Sequence, residues 1–165
     1  MAMTQAFIDE LQREGATTRR VLERVPQDKL TWKPHAKSWS LGELALHIAQ
    51  VPGAIADLIT PATREVFNFT QSEGKTCGEI LKALDDSLAK AATTLSGWSD
   101  GDLMTEWKLT DGPKTVMAMP RIAMVRAVML NHWYHHRGQL SVYLRLLDVP
   151  VPSIYGPSAD ERPFG

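Results

Sequence analysis

Apolar residues recur every three or four positions along most of this chain, and two stretches of that pattern open on helix-start signals. Ser40-Leu41-Gly42-Glu43 and Thr76-Cys77-Gly78-Glu79 read as capping boxes: the hydroxyl takes a free amide of the first turn and the glutamate reaches back. After the first, Leu44, His47, Ile48, Val51, Ile55 and Leu58 share one helical face. After the second, Ile80, Leu81, Leu84, Leu88, Ala91 and Leu95 follow, with Gly97 at the end. Such stripes have to be buried against one another.

Two more segments carry the same period. One runs from about Thr4 to Arg24, with Phe7, Leu11, Val21, Leu22 and Val25 on its stripe and Pro26 ending it. The other begins near Pro120 and runs to about Leu147, where Val125, Met129, His132, His136, Tyr143 and Leu147 make an inward seam. Gly138 inside that helix costs about 1 kcal/mol against alanine, which calls for a local reason such as close helix approach. Pro52 and Gly53 should bend or break the second helix, because proline removes a donor and clashes with the preceding turn. Between the third and fourth helices, Trp98 to Met119 holds an Asp111-Gly112 turn signal flanked by Trp107, Leu109 and Val116, so a short hairpin or an irregular loop is expected. The Pro- and Gly-rich end, Val149 to Gly165, reads as an irregular strap. The expectation is an all-α, four-helix bundle with an irregular C-terminal tail, one domain over residues 1–165.

Composition narrows the function. A net charge of -1 offers no electrostatic footprint for nucleic acid. No run approaches the roughly eighteen apolar residues of a membrane span. Met1 to Arg24 lacks the basic and apolar regions of a secretory signal. Cys77 is the sole cysteine, so no intrachain disulfide forms, and a reducing, cytoplasmic setting is the simplest reading.

The histidines carry the chemistry. His132 and His136 stand at i, i+4, which puts both imidazoles on one helix face about a turn apart. His47 lies in another apolar helix that a bundle can bring opposite them. Three neutral imidazoles with an open position form the ligand set of a catalytic divalent-metal site. Geometry alone also allows His132 with His135 at i, i+3; the seam favours His136, leaving His135 for an interface or an outer position. His35 sits in a loop-like stretch and reads as a surface residue. Cys77 lies in a first helical turn, which favours a thiolate, but it has no basic neighbour in sequence. Gln139 is a candidate partner for the outer N–H of a ligating ring, and Arg137 for an ordinary ion pair. Asp160 and Glu161 in the tail are either solvated or an extra ligand that closes the site.

The run Asn131-His132-Trp133-Tyr134-His135-His136-Arg137-Gly138-Gln139, continued to Arg145, resembles the C-terminal helix motif of the DinB family, within the DinB/YfiT-like superfamily. Leu30 to Pro34 and Trp39 to His47 resemble that family's entry into its second helix, and Tyr155 to Glu161 its closing tail. The resemblance spans nearly the whole chain and implies a DinB/YfiT-like bundle with an unusual connection order. It implies His47, His132 and His136 as ligands of a divalent metal, zinc or nickel, and a homodimer. Relatives in the superfamily include S-transferases that use bacillithiol, mycothiol or glutathione, and mycothiol-dependent isomerases.

Two classes of function follow. One is a metal-dependent enzyme acting on a small molecule, with a low-molecular-weight thiol as co-substrate or, alternatively, water in a metal-dependent hydrolase. No glutamate is placed like the general base of a zincin, which weakens hydrolysis. The other is a non-catalytic metal-binding or dimeric interaction protein of the stress response with a structural metal, which a closed four-ligand site would support.

Overall fold

The computed structural model describes residues 2–163. Four long helical segments dominate: α1 (Met3–Leu22), α2 (Leu41–Ile59), α3 (Cys77–Ser96), and a final run made of α5 (Arg121–Ala123), a π-helix (Met124–Asn131) and α6 (His132–Leu146). A short α4 (Asp100–Met104) follows α3. The tail from Val149 has no regular structure over its described residues, as its composition foretold.

A small sheet departs from the all-α expectation. Strands β1 (Thr63–Glu65), β2 (Glu106–Asp111) and β3 (Lys114–Pro120) lie in the order β1-β2-β3. The hairpin reading of the link holds: β2 and β3 pair antiparallel around Gly112, which takes the left-handed φ of 54° that a tight turn requires. The strand β1 pairs parallel to β2, Thr63 opposite Lys108. Every residue of β1 is exposed, so it carries no alternation by which a sequence would reveal it.

Both helix starts form with different completeness. Ser40 and Glu43 make the full reciprocal box. Thr76 accepts from the Glu79 amide, but Glu79 turns to the Lys75 amide at 2.9 Å. Stripe residues Leu11, Val21, Leu44, Ile48, Ile80 and Leu84 are buried in one core.

The helix α2 runs unbroken through Pro52. Proline cannot donate to the Ile48 carbonyl four residues back, and its ring pushes that carbonyl aside. The orphaned oxygen accepts instead from the Trp133 indole N–H at 2.8 Å. One residue on, the Gly53 amide donates to the Ser87 hydroxyl at 2.7 Å, and the same hydroxyl donates to the Gln50 carbonyl at 3.1 Å. A Cβ at position 53 would stand 2.9 Å from the Ser87 Cα, so glycine lets α2 and α3 touch. The interruption that a local reading takes for a break is thus repaired by donors from two other helices. At its C-terminus α2 is finished from outside as well: Trp107 donates to Leu58, and Arg121 to Ile59 and Thr60.

The inward seam of the last helix lies one residue off the expected line. Val125 and Met129 are buried, but the stripe then continues through Trp133, Arg137, Leu140 and Leu144. His132, His136, Tyr143 and Leu147 are half-buried at its margin. The π-helix supplies the reason. Its wider turn adds about one residue per turn, a phase shift of roughly 100° relative to a continuous α-helix. No atom lies within 4 Å of a Cβ built on Gly138, so close helix approach does not explain that glycine.

The repair of α2 is testable. Trp133→Phe leaves the Ile48 carbonyl buried without a donor and is expected to cost about 1–3 kcal/mol in urea unfolding. Pro52→Ala restores a local donor, so the tryptophan substitution should cost less in that background. Strict additivity of the two changes would contradict the account.

Candidate metal centre

Phase and packing place three imidazoles together. Position 47 falls on the buried face of α2, one residue before the carbonyl that Trp133 holds. His132 precedes that same Trp133 at the junction between the π-helix and α6, and His136 lies one turn on. The Nε2 atoms of His47 and His132 are 3.4 Å apart, and those of His132 and His136 are 2.6 Å apart. Donor atoms from all three lie within 4.8 Å of one another.

Two of the outer ring nitrogens are held. His47 Nδ1 donates to the Gln71 amide oxygen at 3.0 Å, and His136 Nδ1 to that of Gln139 at 2.7 Å. The backbone of Val128, four residues back, favours the charged form of the His132 ring. The bonds to Gln71 and Gln139 select, at His47 and His136, the tautomer whose Nε2 carries a lone pair, as an outer acceptor does for metal-binding histidines. The Nε2 atoms of His132 and His136 face one another across a space that a shared proton or a cation fills. Imidazole–zinc bonds near 2.0–2.1 Å imply nitrogen separations of about 3.3 Å in a tetrahedral site, which the His47–His132 pair meets and the His132–His136 pair, at 2.6 Å, reaches on opening by a fraction of an ångström. The residues present therefore fit a divalent metal.

Burial keeps the rings neutral. It is the main cause that depresses His47 to about 4, with His136 and His132 adding repulsion and Gln71 opposing. Burial also lowers His132 and His136, against the favourable bonds to Val128 and Gln139. Trp39 forms one wall, edge-on to His47 at 4.8 Å between ring centres and stacked on His136 at 5.7 Å. A cavity of about 700 Å³ opens beside the cluster and reaches His47 and His132.

The remaining candidates stand elsewhere. His135 is exposed, its ring edge-on to His136 from outside. His35 is exposed in its loop. Cys77 donates to the Val25 carbonyl, and burial pushes its thiol up, away from a reactive thiolate. Asp160 is tied to Arg145 and the Val151 amide, and Glu161 to Arg20 and the Ser153 amide, so both acids clamp the tail. Arg137 is buried, ion-paired to Glu14 at 2.6 Å, bonded to Thr18, and set against the rings of Tyr134 and Tyr155. The sequence does not single out Gln71, which sits between β1 and α3 with no periodic pattern around it.

Two outcomes are expected from this geometry. Gln71→Leu and Gln139→Leu each lose the acceptor that orients a ring, and each should weaken zinc binding about 10–100-fold in a competitive chelator titration. In metal-free protein, histidines held below their unfolded value of roughly 6.5 bind fewer protons folded than unfolded, so acid favours unfolding. Thermal stability should fall as pH drops from about 6.5 toward the His47 value of about 4, and His47→Gln should flatten that slope.

Known proteins share this fold and sequence pattern. A DinB-like protein from Bacillus cereus ATCC 10987 superimposes with a TM-score of 0.71 at 22% identity, covering 92% of this chain and 97% of that one. The DinB-like protein YjoA from Bacillus subtilis gives 0.68 at 20% identity, covering 95% and 99%. In sequence, the uncharacterized protein YrdA of Bacillus subtilis (strain 168) is 25% identical over 158 residues, covering 94% of this chain and 89% of YrdA. The sequence pattern of the DinB family matches residues 1–162, and the chain belongs to that family.

Proposed function

We propose that His47, His132 and His136 bind one divalent metal, zinc or nickel, and that the protein is a metal-dependent enzyme which transfers a low-molecular-weight thiol to a small-molecule substrate. One observation carries this reading: three imidazoles, two of them with the outer nitrogen already bonded, converge beside a large cavity that two of them line, and the cluster gathers no fourth ligand among the described residues. Three ligands leave a position for an exogenous group, whereas a structural zinc fills all four. When bound, the metal supplies Lewis acidity, which stabilises a thiolate or lowers the pKa of water.

The chain's own residues do the rest. Gln71 and Gln139 hold two rings with Nε2 turned inward. Trp39 shields the cluster on one side, which limits water there. Among the described residues no carboxylate joins the three histidines, so none stands as a base beside a bound water, which favours thiol transfer over hydrolysis. The clamped tail acids argue against the closed, non-catalytic alternative. A homodimer, as the family resemblance implies, belongs to the same proposal.

The test is the visible spectrum of cobalt-substituted protein. Bacillithiol or glutathione should produce a sulfur-to-cobalt charge-transfer band that saturates near one equivalent of thiol, about one per open site. A cobalt spectrum indifferent to every thiol, in protein that loses cobalt on His132→Ala/His136→Ala substitution, would overturn thiol transfer and leave the metal site standing.

A further inference from the structure

The cavity walls are mostly rings and branched aliphatic side chains, Trp39, Val51, Ile55, Leu58, Phe67 and Phe69, with Gln50, Gln71, His47 and His132 as the neutral polar groups. At about 700 Å³ it falls within the range of small-molecule sites. Phe67 and Phe69 are 60% and 59% exposed, so two phenyl rings face water at its mouth where an apolar ligand would cover them. Phe69 stands 6.4 Å from Trp39 and 5.8 Å from His47 between ring centres, which carries the aromatic wall to the histidine cluster.

Charged groups on the lining are one ion-paired carboxylate, Asp57, and two exposed residues bonded to neutral groups, Arg64 and Glu65. Asp57 pairs with Lys90 at 2.7 Å. Arg64 donates to the Asp57 carbonyl at 3.2 Å. Glu65 accepts from the Thr110 hydroxyl and the Gly112 amide, at 2.7 and 2.5 Å. A charged ligand body would lose its hydration against the apolar walls, and the charges it could meet that are unpaired among the described residues, Arg64 and Glu65 in the fully exposed β1, return little in water. Neutral rings lose nothing of that kind and gain aromatic contacts.

From this lining we infer that the cavity binds a neutral, ring-bearing apolar molecule, with its one polar end directed at the histidine cluster. The molecule is the acceptor substrate of the proposed transfer, as distinct from the charged or polyhydroxylated thiol. Only the placement of the polar end rests on the metal-site reading; the apolar body is argued from the walls alone.

Two fluorescent probes with the same ring systems separate the alternatives. N-phenyl-1-naphthylamine is neutral, and 8-anilinonaphthalene-1-sulfonate adds a single negative charge. The zinc-loaded protein should bind the neutral probe at least about tenfold more tightly than the sulfonate. Ala54, exposed on the cavity wall, tolerates a larger side chain without disturbing the core. Ala54→Trp should weaken the neutral probe about tenfold or more, with zinc content unchanged. The His132→Ala/His136→Ala protein should lose zinc and keep the probe, which separates this inference from the metal reading. Failure of the folded protein to bind the neutral probe, equal affinity for the sulfonate, or indifference to Ala54→Trp would each overturn the inference. Absence of zinc from the wild-type protein, with the probe results intact, would overturn the metal reading instead.

Discussion

The hydrogen bond from the Trp133 indole to the Ile48 carbonyl is the contact on which the candidate centre depends. Its two ends are chain neighbours of two of the three clustered histidines: Ile48 follows His47, and Trp133 follows His132. The distance between the helices is therefore set within one residue of the cluster. The acceptor exists only because Pro52 leaves it without a helical donor. A defect in one helix is the socket for the other. Ser87 completes the arrangement by serving the Gly53 amide and the Gln50 carbonyl, so three long helical segments meet around one irregular turn.

The π-helix acts on the same place from the other side. A continuous α-helix carrying Val125 and Met129 inward would carry His132 and His136 into the core as well. The wider turns rotate the pair to the margin, where His132 lines the cavity wall, and give the core position to Trp133. π-Helical turns are rare and recur at functional sites because they re-aim side chains in this way. The buried Arg137 then anchors α6 to α1 through Glu14, one residue from His136 and on the face turned away from the cluster.

Much of this was legible in the sequence. Ser40 and Thr76 announced their helices, and the Asp111-Gly112 turn its hairpin, because those signals are local. The histidines were legible from residue type and spacing, and Gln139 because it stands one turn from His136. What escaped depends on distant partners. The strand β1 exists through its pairing with β2, and the continuity of α2 through Trp133 and Ser87. Gln71 reaches His47 from an irregular segment, for which periodicity offers no guide. The seam slipped by one residue because side-chain pattern alone does not distinguish a π-turn from an α-turn.

The contact among Pro52, Gly53, Ser87 and Trp133 also constrains how this sequence can drift. Each residue answers a requirement created by another: the proline frees an oxygen, the indole fills it, the glycine admits α3, and the serine hydroxyl serves two backbone groups at once. A change at Gly53, Ser87 or Trp133 leaves a buried polar group without a partner or two backbones in collision, whereas a change at Pro52 returns the helical donor. Descendants can leave this arrangement without a less stable intermediate only in one order, with Pro52 changing before Trp133. The turn beside the cluster should thus behave in evolution as one inherited character spread over three helices.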